Sequence, residues 1–213
     1  MLLLIRHGES TANAAGLLVG RADAPLTAAG RRQAAALGSI LGSGSVPVTT
    51  LISSPLRRAL DTAQSLGLGV PVTIDHRWVE VDYGEEDLRP LDQIGTALRR
   101  HWQSGSSFRP AGGETLHEVG ERVRAACAEL FARDGEGARR AHGAVAVVSH
   151  VSPIKAAVAW ALGADDDLAW RLHLATGSLT VIGWSEEHPV LETFNAVPPL
   201  TGAMLPPRDP DRA

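Results

Sequence analysis

The sequence contains a single cysteine, Cys127, among its 213 residues. One cysteine excludes an intrachain disulfide and a cluster of thiolate metal ligands. Cys127 stands at helical spacing among apolar neighbours in the segment ERVRAACAEL. We therefore expect it to be a small buried hydrophobic residue rather than a reactive thiol.

Long apolar runs and an excess of positive charge are also missing. No stretch approaches the roughly 20 apolar residues that a membrane span needs, and the apolar start is too short for a signal peptide. The formal net charge is -4 and the pI is about 6.0, which argues against nucleic acid as the main partner. We expect a cytoplasmic protein without a membrane partner, in which a local positive pocket remains allowed.

The composition is that of a soluble protein with a proper core, at 44% hydrophobic and 21% charged residues. Apolar runs that predict buried strands cover residues 1–5, 48–53, 144–149, 178–183 and 190–195. Helices are expected between them, opening near Thr27, Pro55, Glu114 and Pro153. This alternation predicts an α/β protein, a three-layer α/β/α sandwich with a mostly parallel sheet and helices on both faces.

The chain shows no internal repeat and no linker that divides it, so we expect one domain over residues 1–197. Residues 82–113 are the least regular part and are interpreted as an insertion over the active-site end of the sheet. Residues 198–213 form a proline-rich tail that we expect to be loose.

Charged and imidazole side chains follow three of the predicted strands. The first strand ends in Arg6 and His7, the second leads to Arg57 and Arg58, and the third ends in His150. Ligands of such sheets bind beyond the carboxyl ends of the strands, where these residues would converge. The repetition predicts an anion site, although each residue alone is weak support.

Such a set of side chains suits phosphate chemistry. The planar donors of arginine match phosphate oxygens. A neutral imidazole is a good nucleophile near pH 7. Phosphoryl transfer needs positioning and neutralisation of the oxygens, which arginines and a second histidine can supply without a metal. We expect Gly8, directly after His7, to let the chain turn away sharply.

Several segments together resemble the histidine phosphatase superfamily, which has the phosphoglycerate mutase-like fold. They are LIRHGESTAN, GRADAPLTAAGRRQA, SSPLRRALDTA, GGETLHEVGERV and VVSHVSPIKA. The similarity runs in the family's order from the N-terminus to about Phe194. The five segments together are specific for this superfamily, whereas the RHG triplet alone is not.

The resemblance implies roles for matching positions. His7 would be the nucleophile that becomes phosphohistidine, and Arg6 would bind the phosphoryl group. Arg58, directly before Ala59 in the family's SxxxRA pattern, would bind it too. His150 would complete the phosphate pocket and stabilise the transferring group.

Three further positions match residues of the family's phosphate site. Asn13 corresponds to a residue that often lines it, and Gly20 to the glycine of a (Q/S)G pair whose polar partner is here Val19. Many relatives have SHGG where this chain has SHVSP, so the backbone N–H of Val151 would supply the donor. Ser152 is expected to cap the helix that follows.

The family's acid/base glutamate lies in an E-x-x-x-G segment, which here is Glu80 with Gly84. A carboxyl group there would protonate the leaving alkoxide and then activate water. Nearby acidic residues remain alternatives: Asp82, Glu85, Glu86 and Asp87. Many relatives have WEG after this glutamate, whereas this chain has EED at residues 85–87 and then Leu88, so the pocket rim departs from the family pattern.

Other polar and aromatic residues receive structural interpretations. Arg57 is the alternative to Arg58 and is otherwise expected to be a surface residue or an auxiliary substrate contact. Glu114 is expected to hold an arginine or to cap a helix. Trp160 and Trp170 are expected in the core, whereas Trp102 and Phe108 are candidates for lining a substrate pocket. The remaining histidines have no metal-site spacing and are taken as structural or exposed: His76, His101, His117, His142, His173 and His188.

The sequence therefore predicts a metal-independent phosphomonoesterase that acts through phosphohistidine on a small phosphorylated metabolite, with no cofactor. The alternatives are a phosphoglycerate mutase-type phosphomutase and a phosphate-binding regulatory module. The leaving group is open among phosphosugars, phosphoglycerate-type acids and cobalamin-precursor phosphates. The oligomeric state, with a homodimer among the options, is not predicted.

Overall fold

Every strand predicted from an apolar run occurs in the computed structural model, which describes residues 1–44, 46–94, 100, 105–133, 143–185 and 188–198. The strands are β1 (Leu2–Arg6), β2 (Val48–Ser53), β3 (Val72–Ile74), β4 (Ala144–Ser149), β5 (Leu179–Trp184) and β6 (Pro189–Ala196). They form one sheet in the order β3-β2-β4-β1-β5-β6. The pairs β3-β2, β2-β4 and β4-β1 are parallel, whereas β1-β5 and β5-β6 are antiparallel. The predicted mostly parallel sheet is confirmed.

The edge strand β3 was not predicted. It has three residues, two of which are exposed, and it pairs with β2. A short strand with an exposed face lacks the continuous apolar run that marks the central strands.

The helices are α1 (Thr11–Ala14), α2 (Ala28–Gly42), α3 (Arg57–Ser65), α4 (Leu116–Arg133) and α5 (Val151–Ala161). Short 3₁₀ turns cover His76–Trp78, Gly84–Glu86 and Asp166–Arg171. Thr27 caps α2 as predicted, since its hydroxyl accepts the Gly30 N–H at 3.0 Å.

Three helix starts differ from the predictions. Helix α3 begins after Leu56 rather than at Pro55. Helix α4 begins after Thr115, which exchanges hydrogen bonds of 2.9 and 3.1 Å with Glu118, so Glu114 is not its first residue. Helix α5 begins at Val151, and Ser152 therefore lies inside the first turn instead of capping it.

Successive residues of β1 pack against opposite faces of the sheet. Leu2 and Leu4 belong to a buried cluster with residues of α4 and α5, and Leu3 and Ile5 to one with residues of α2 and α3. Helices on both faces explain why the strand is apolar throughout. Cys127 is buried in the first cluster, as predicted.

Gly8 follows β1 and lies against α2. A Cβ on Gly8 would stand 2.3 Å from the Gly30 carbonyl oxygen, and one on Gly30 would stand 2.1 Å from that of Glu9. Gly8 is not among the glycines with a positive φ. Close contact between two backbones, rather than a sharp turn, is therefore what requires glycine here.

Residues 88–91 of the predicted insertion lie against the loop after α1. The Leu18 N–H donates to the Arg89 carbonyl, and the Leu88 N–H donates to the Leu18 carbonyl, each at 2.8 Å. Trp102, His101, His142 and the tail beyond residue 198 fall outside the described residues, and the domain boundaries stay a prediction. Within the described part of the chain, no helix is long and apolar enough to cross a membrane.

Candidate active site

The carboxyl ends of β2, β4 and β1 lie side by side, because these strands are parallel neighbours. This brings together the three chain segments that the sequence marked as site candidates. The His7 and His150 rings lie with their centroids 5.0 Å apart, and both residues are buried.

The His7 ring is oriented by a contact to its own chain. Its Nδ1 lies 2.7 Å from the Gly8 carbonyl oxygen. A carbonyl only accepts hydrogen bonds, so Nδ1 carries the hydrogen and Nε2 keeps its lone pair. Burial and the charges of Arg6 and Arg58 hold the pKa of His7 well below its usual value. The ring is therefore neutral at pH 7, with its Nε2 available.

Arg58 is fully buried and makes three directed hydrogen bonds. Its Nε donates to His7 Nε2 at 3.2 Å, its Nη1 to the Ala22 carbonyl at 2.8 Å, and its Nη2 to the Gly20 carbonyl at 2.7 Å. Arg57, by contrast, has an exposed side chain that faces Asp61. The structure thus places Arg58, and not Arg57, in the site.

Two buried polar atoms in the site have no hydrogen-bond partner among the described residues, Arg6 Nε and His150 Nδ1. The hydroxyl of Ser54 accepts the Leu56 N–H at 3.3 Å and lies 2.7 Å from His150 Nε2. With this hydroxyl as the donor to Nε2, the hydrogen of His150 lies on Nδ1. Buried donors are normally satisfied, so the two atoms mark a place for an acceptor such as a phosphoryl oxygen.

Glu80 is 3% exposed, and its carboxylate accepts three backbone N–H groups. Oε1 accepts from Val81 at 2.8 Å and from Ser152 at 3.1 Å, and Oε2 accepts from Val151 at 3.0 Å. The carboxylate therefore caps α5, the function that we had expected from Ser152. The Val151 N–H, predicted as a phosphate donor, here binds Glu80.

The acidic alternatives to Glu80 have other partners. Asp82 accepts the Gly84 N–H at 2.9 Å, Glu86 pairs with Arg89, and Glu85 is exposed. Asp87 binds the Gly20 N–H through Oδ1 at 2.7 Å and the Ala22 N–H through Oδ2 at 2.8 Å. Of this group, Glu80 is the one whose charge acts on both Arg6 and Arg58.

Two arginines hold the backbone of Glu80. Its carbonyl accepts from Arg21 Nε at 2.9 Å and from Arg122 Nη2 at 3.4 Å. Both guanidinium groups also bind the carboxylate of Glu114, at 2.9 to 3.2 Å. Glu114 thus holds arginines, in agreement with the structural role that the sequence suggested.

Gly20 and Asn13 occupy supporting positions. The Gly20 carbonyl binds Arg58, and a Cβ on Gly20 would lie 2.8 Å from the Val81 carbonyl oxygen. The Asn13 Oδ1 accepts from the backbone N–H and the hydroxyl of Ser10, at 3.1 and 2.8 Å, and so closes the first turn of α1. No contact of Asn13 with the arginines or histidines of the site is recorded among the described residues, and its phosphate role stays a prediction.

Sequence reasoning gave no supporting role to the residues that position the histidines and arginines of the site. Asp87 binds the loop that holds Arg58, Ser54 orients His150, and Thr62 accepts the Gly8 N–H at 3.0 Å. None of them carries a spacing that distinguishes it from an ordinary surface residue. A search of the described residues finds no group of three or more side chains able to hold a metal ion.

In this α/β fold, two histidines and two arginines lie together at the carboxyl ends of parallel strands. The sequence profile of the histidine phosphatase superfamily (branch 1) matches residues 2–197. The chain belongs to this superfamily.

Three similar proteins are informative. A bifunctional protein of Mycobacterium tuberculosis is 35% identical over 186 residues, which cover 84% of this chain and 49% of the relative. The chain thus spans about half the length of the first curated relatives that it matches. A protein of Salmonella choleraesuis named probable phosphoglycerate mutase is 34% identical over 192 residues, covering 86% of this chain and 84% of the relative.

Among solved structures, a mycobacterial glucosyl-3-phosphoglycerate phosphatase in complex with VO3 has a TM-score of 0.82 to this chain. It is 30% identical, and the superposition covers 92% of this chain and 98% of the other. The match extends over nearly the whole of both chains, so the two share the complete domain fold.

Proposed function

We propose that this protein is a metal-independent phosphomonoesterase in which His7 forms a phosphohistidine intermediate. The observation that carries the proposal is the hydrogen bond from His7 Nδ1 to the Gly8 carbonyl at 2.7 Å. It leaves Nε2 as a buried, unprotonated nitrogen facing the Arg58 guanidinium, which is what attack on a phosphorus atom requires.

The phosphoryl group would be bound by two kinds of donor. Two donors have no acceptor in the part of the chain that the structure describes, and a third donates only a long hydrogen bond to His7. Arg6 Nε and His150 Nδ1 have no partner among the described residues, and Arg58 Nε points at the nucleophile itself. Burial lowers the pKa of Arg6 to about 10. An anion in the pocket therefore compensates the charges of Arg6 and the buried Arg58, which supports binding of a dianionic phosphate.

Each half of the reaction moves one proton through Glu80. In the first half, His7 Nε2 forms a bond to phosphorus, the ester P–O bond breaks, and the leaving oxygen takes the proton of the Glu80 carboxyl group. In the second half, a water molecule gives its proton to the Glu80 carboxylate and attacks phosphorus. Orthophosphate leaves, and the lone pair returns to Nε2.

The hydrogen bond between Glu80 and Val151 links this proton to phosphate binding. A carboxylate accepts the Val151 N–H more strongly than a carboxyl group does. Protonation of Oε2 therefore weakens the 3.0 Å bond and frees the Val151 N–H for a phosphoryl oxygen. This is how the predicted donor role of Val151 is compatible with its contact in the structure.

A second candidate is a phosphomutase, which the similarity to the protein named probable phosphoglycerate mutase favours. It would use the same first step and return the phosphoryl group to another hydroxyl of the substrate. The two functions differ in the product, since a mutase releases an isomeric phosphate ester rather than orthophosphate.

The test is orthophosphate release from a panel of phosphomonoesters in the presence of EDTA. We expect release by the wild type, none by His7→Ala, and unchanged release by His76→Ala, a substitution at an exposed histidine. Quenching at alkaline pH and mass spectrometry of the active-site peptide should find the phosphoryl group on His7.

The other readings give different results. Isomerised esters without orthophosphate would favour the mutase, binding without turnover would favour a regulatory module, and loss of release in EDTA would contradict metal independence. Cytoplasmic location stays a prediction of the sequence, and the sequence leaves the oligomeric state open.

A further inference from the structure

A cleft lies beside the proposed acid/base group and extends away from the proposed phosphoryl site. Its apolar wall is formed by Tyr83, Phe108, Pro110, Leu116 and Trp170. Aromatic residues make up 4% of this chain, yet three of them meet here. Trp170, which we had expected in the core, is 37% exposed at this wall.

The cleft shares residues with the Glu80 carboxylate. Val151 and Ser152 line the cleft, and their backbone N–H groups bind Glu80 at 3.0 and 3.1 Å. Tyr83 lines it too, and its side chain hydrogen-bonds to Ser152. A leaving group that receives its proton from Glu80 therefore extends along this wall.

Lys155 is the cation of the cleft. It lies one turn after Val151 on α5, so the two side chains share a face of the helix. Its Nζ donates to the Ala169 carbonyl at 2.8 Å, which uses one of its three hydrogens. No carboxylate of the described residues lies within 4 Å of this ammonium, and the Glu114 carboxylate of the lining is bound by Arg21 and Arg122.

A half-buried ammonium without an ion pair favours an anionic ligand. Burial lowers the pKa of Lys155, and the charges of Glu80 and Arg6 act on it in opposite directions. A ligand carboxylate in the cleft would stabilise the charged form of Lys155. The aromatic wall at the same time offers apolar surface to a flat body.

We propose that this cleft binds the leaving group of the substrate, and that this group is an alcohol with a ring-sized apolar body and a carboxylate that pairs with Lys155. The inference rests on the proposed phosphomonoesterase activity. It narrows the substrate class to phosphate esters of carboxylated, ring-bearing alcohols.

The test compares esters whose alcohols differ little in acidity: methyl, benzyl, para-carbamoylbenzyl and para-carboxybenzyl phosphate. The carbamoyl ester is the neutral isostere of the carboxylate. For the wild type we expect kcat/KM for the carboxybenzyl ester to exceed that for the carbamoylbenzyl ester by about tenfold, as for a close charge pair. The benzyl ester should likewise exceed the methyl ester.

Substitutions at Lys155 and Trp170, with a control at Leu162, assign these ratios to residues. Lys155→Met should bring the carboxyl-to-carbamoyl ratio close to one, and Lys155→Arg should retain most of it. Trp170→Ala should lower the benzyl-to-methyl ratio, whereas Leu162→Ala, at a side chain 52% exposed outside the cleft, should leave it unchanged. If Lys155 only held the Ala169 carbonyl, its substitution would lower the rates with all four esters together and change neither ratio.

The outcomes separate the two proposals. If no ester releases orthophosphate, the phosphomonoesterase proposal fails, and the inference with it. If all esters are hydrolysed but the wild type treats carboxylate and carboxamide alike, the activity stands and the assignment of the cleft is wrong. A wild-type preference that persists in Lys155→Met also overturns the role of Lys155.

Discussion

The Oε2 atom of Glu80 accepts the backbone N–H of Val151 at 3.0 Å, at the first residue of α5. Val151 directly follows His150, so the bond connects the loop of the proposed acid/base to the strand end that carries the second histidine. The position of Glu80 relative to the phosphate pocket is thus set by a helix N-terminus, which binds negative charge well.

Replacing Glu80 by glutamine should separate the leaving-group step from phosphoryl binding. The amide oxygen can still accept the Val81 and Ser152 N–H groups that Oε1 accepts, although the Val151 bond of Oε2 is lost. The amide has no acidic proton to give to an alkoxide. We expect the rate with an alkyl phosphate to fall about a hundredfold, and the rate with nitrophenyl phosphate to fall much less. Initial rates with the two esters measure this, and equal losses would assign Glu80 a binding role.

Arg58→Lys should lower kcat/KM by about a hundredfold, because an ammonium cannot replace the planar fork that reaches His7, Gly20 and Ala22 together. The matched control is Arg57→Lys, one residue earlier on α3 and exposed, which should keep wild-type activity. Steady-state kinetics on both variants check the assignment. Similar losses in the two would contradict the assignment of Arg58, rather than Arg57, to the site.

Asp87→Asn should weaken phosphate binding without touching the reacting atoms. An amide can accept only one of the N–H groups of Gly20 and Ala22, so the loop that carries the carbonyl partners of Arg58 becomes less constrained. We expect KM and the inhibition constant of vanadate to rise by about five- to tenfold, the loss of one charge-assisted hydrogen bond. Glu86→Gln, at the neighbouring ion pair with Arg89, should change neither constant.

Leu88 adopts a φ of 64°, and its side chain is 46% exposed. This left-handed conformation costs a leucine about 1–2 kcal/mol, which a glycine avoids, although glycine loses more backbone entropy on folding. We expect Leu88→Gly to raise the free energy of unfolding by about 0.5–1 kcal/mol. Urea unfolding checks this, with Leu91→Gly as a control that should be destabilising, since Leu91 has no positive φ.

The buried histidines should make stability fall as the pH decreases below about 6.5. Burial holds the pKa of both His7 and His150 well below that value in the folded chain, whereas both ionise normally when the chain unfolds. Below pH 6.5 the unfolded state therefore binds more protons, and stability is lost until the folded-state pKa is reached. Each histidine contributes a slope of up to about 1.4 kcal/mol per pH unit.

Urea unfolding in phosphate-free buffer at pH 7.5, 6.5 and 5.5 measures this slope. His7→Gln and His150→Gln should each reduce it, since a glutamine does not titrate. A slope that is the same in both variants as in the wild type would show that other groups cause the acid sensitivity.

Much of the site follows from sequence because its chemistry lies at strand ends. The apolar run before Arg6 and the one before His150 predict parallel buried strands, and their carboxyl ends must meet at one edge. Resemblance to the family then distinguished Arg58 from Arg57 and Glu80 from four other acids. The sequence did not predict the edge strand β3, because this strand has only three residues and an exposed face.

Sequence alone determined the class of fold and the central strands, because both depend on local periodicity, and it placed Arg6, His7 and His150 at strand ends that meet at one edge of the sheet. Only the tertiary structure decided which nitrogen of His7 carries no hydrogen and which group caps α5. It also decided why Gly8 must be glycine and which carbonyl groups bind Arg58. These depend on contacts between segments far apart in the chain, such as Gly8 with Gly30 and Glu80 with Val151. A hydrogen bond needs two groups within about 3 Å, and no local pattern records such a distance.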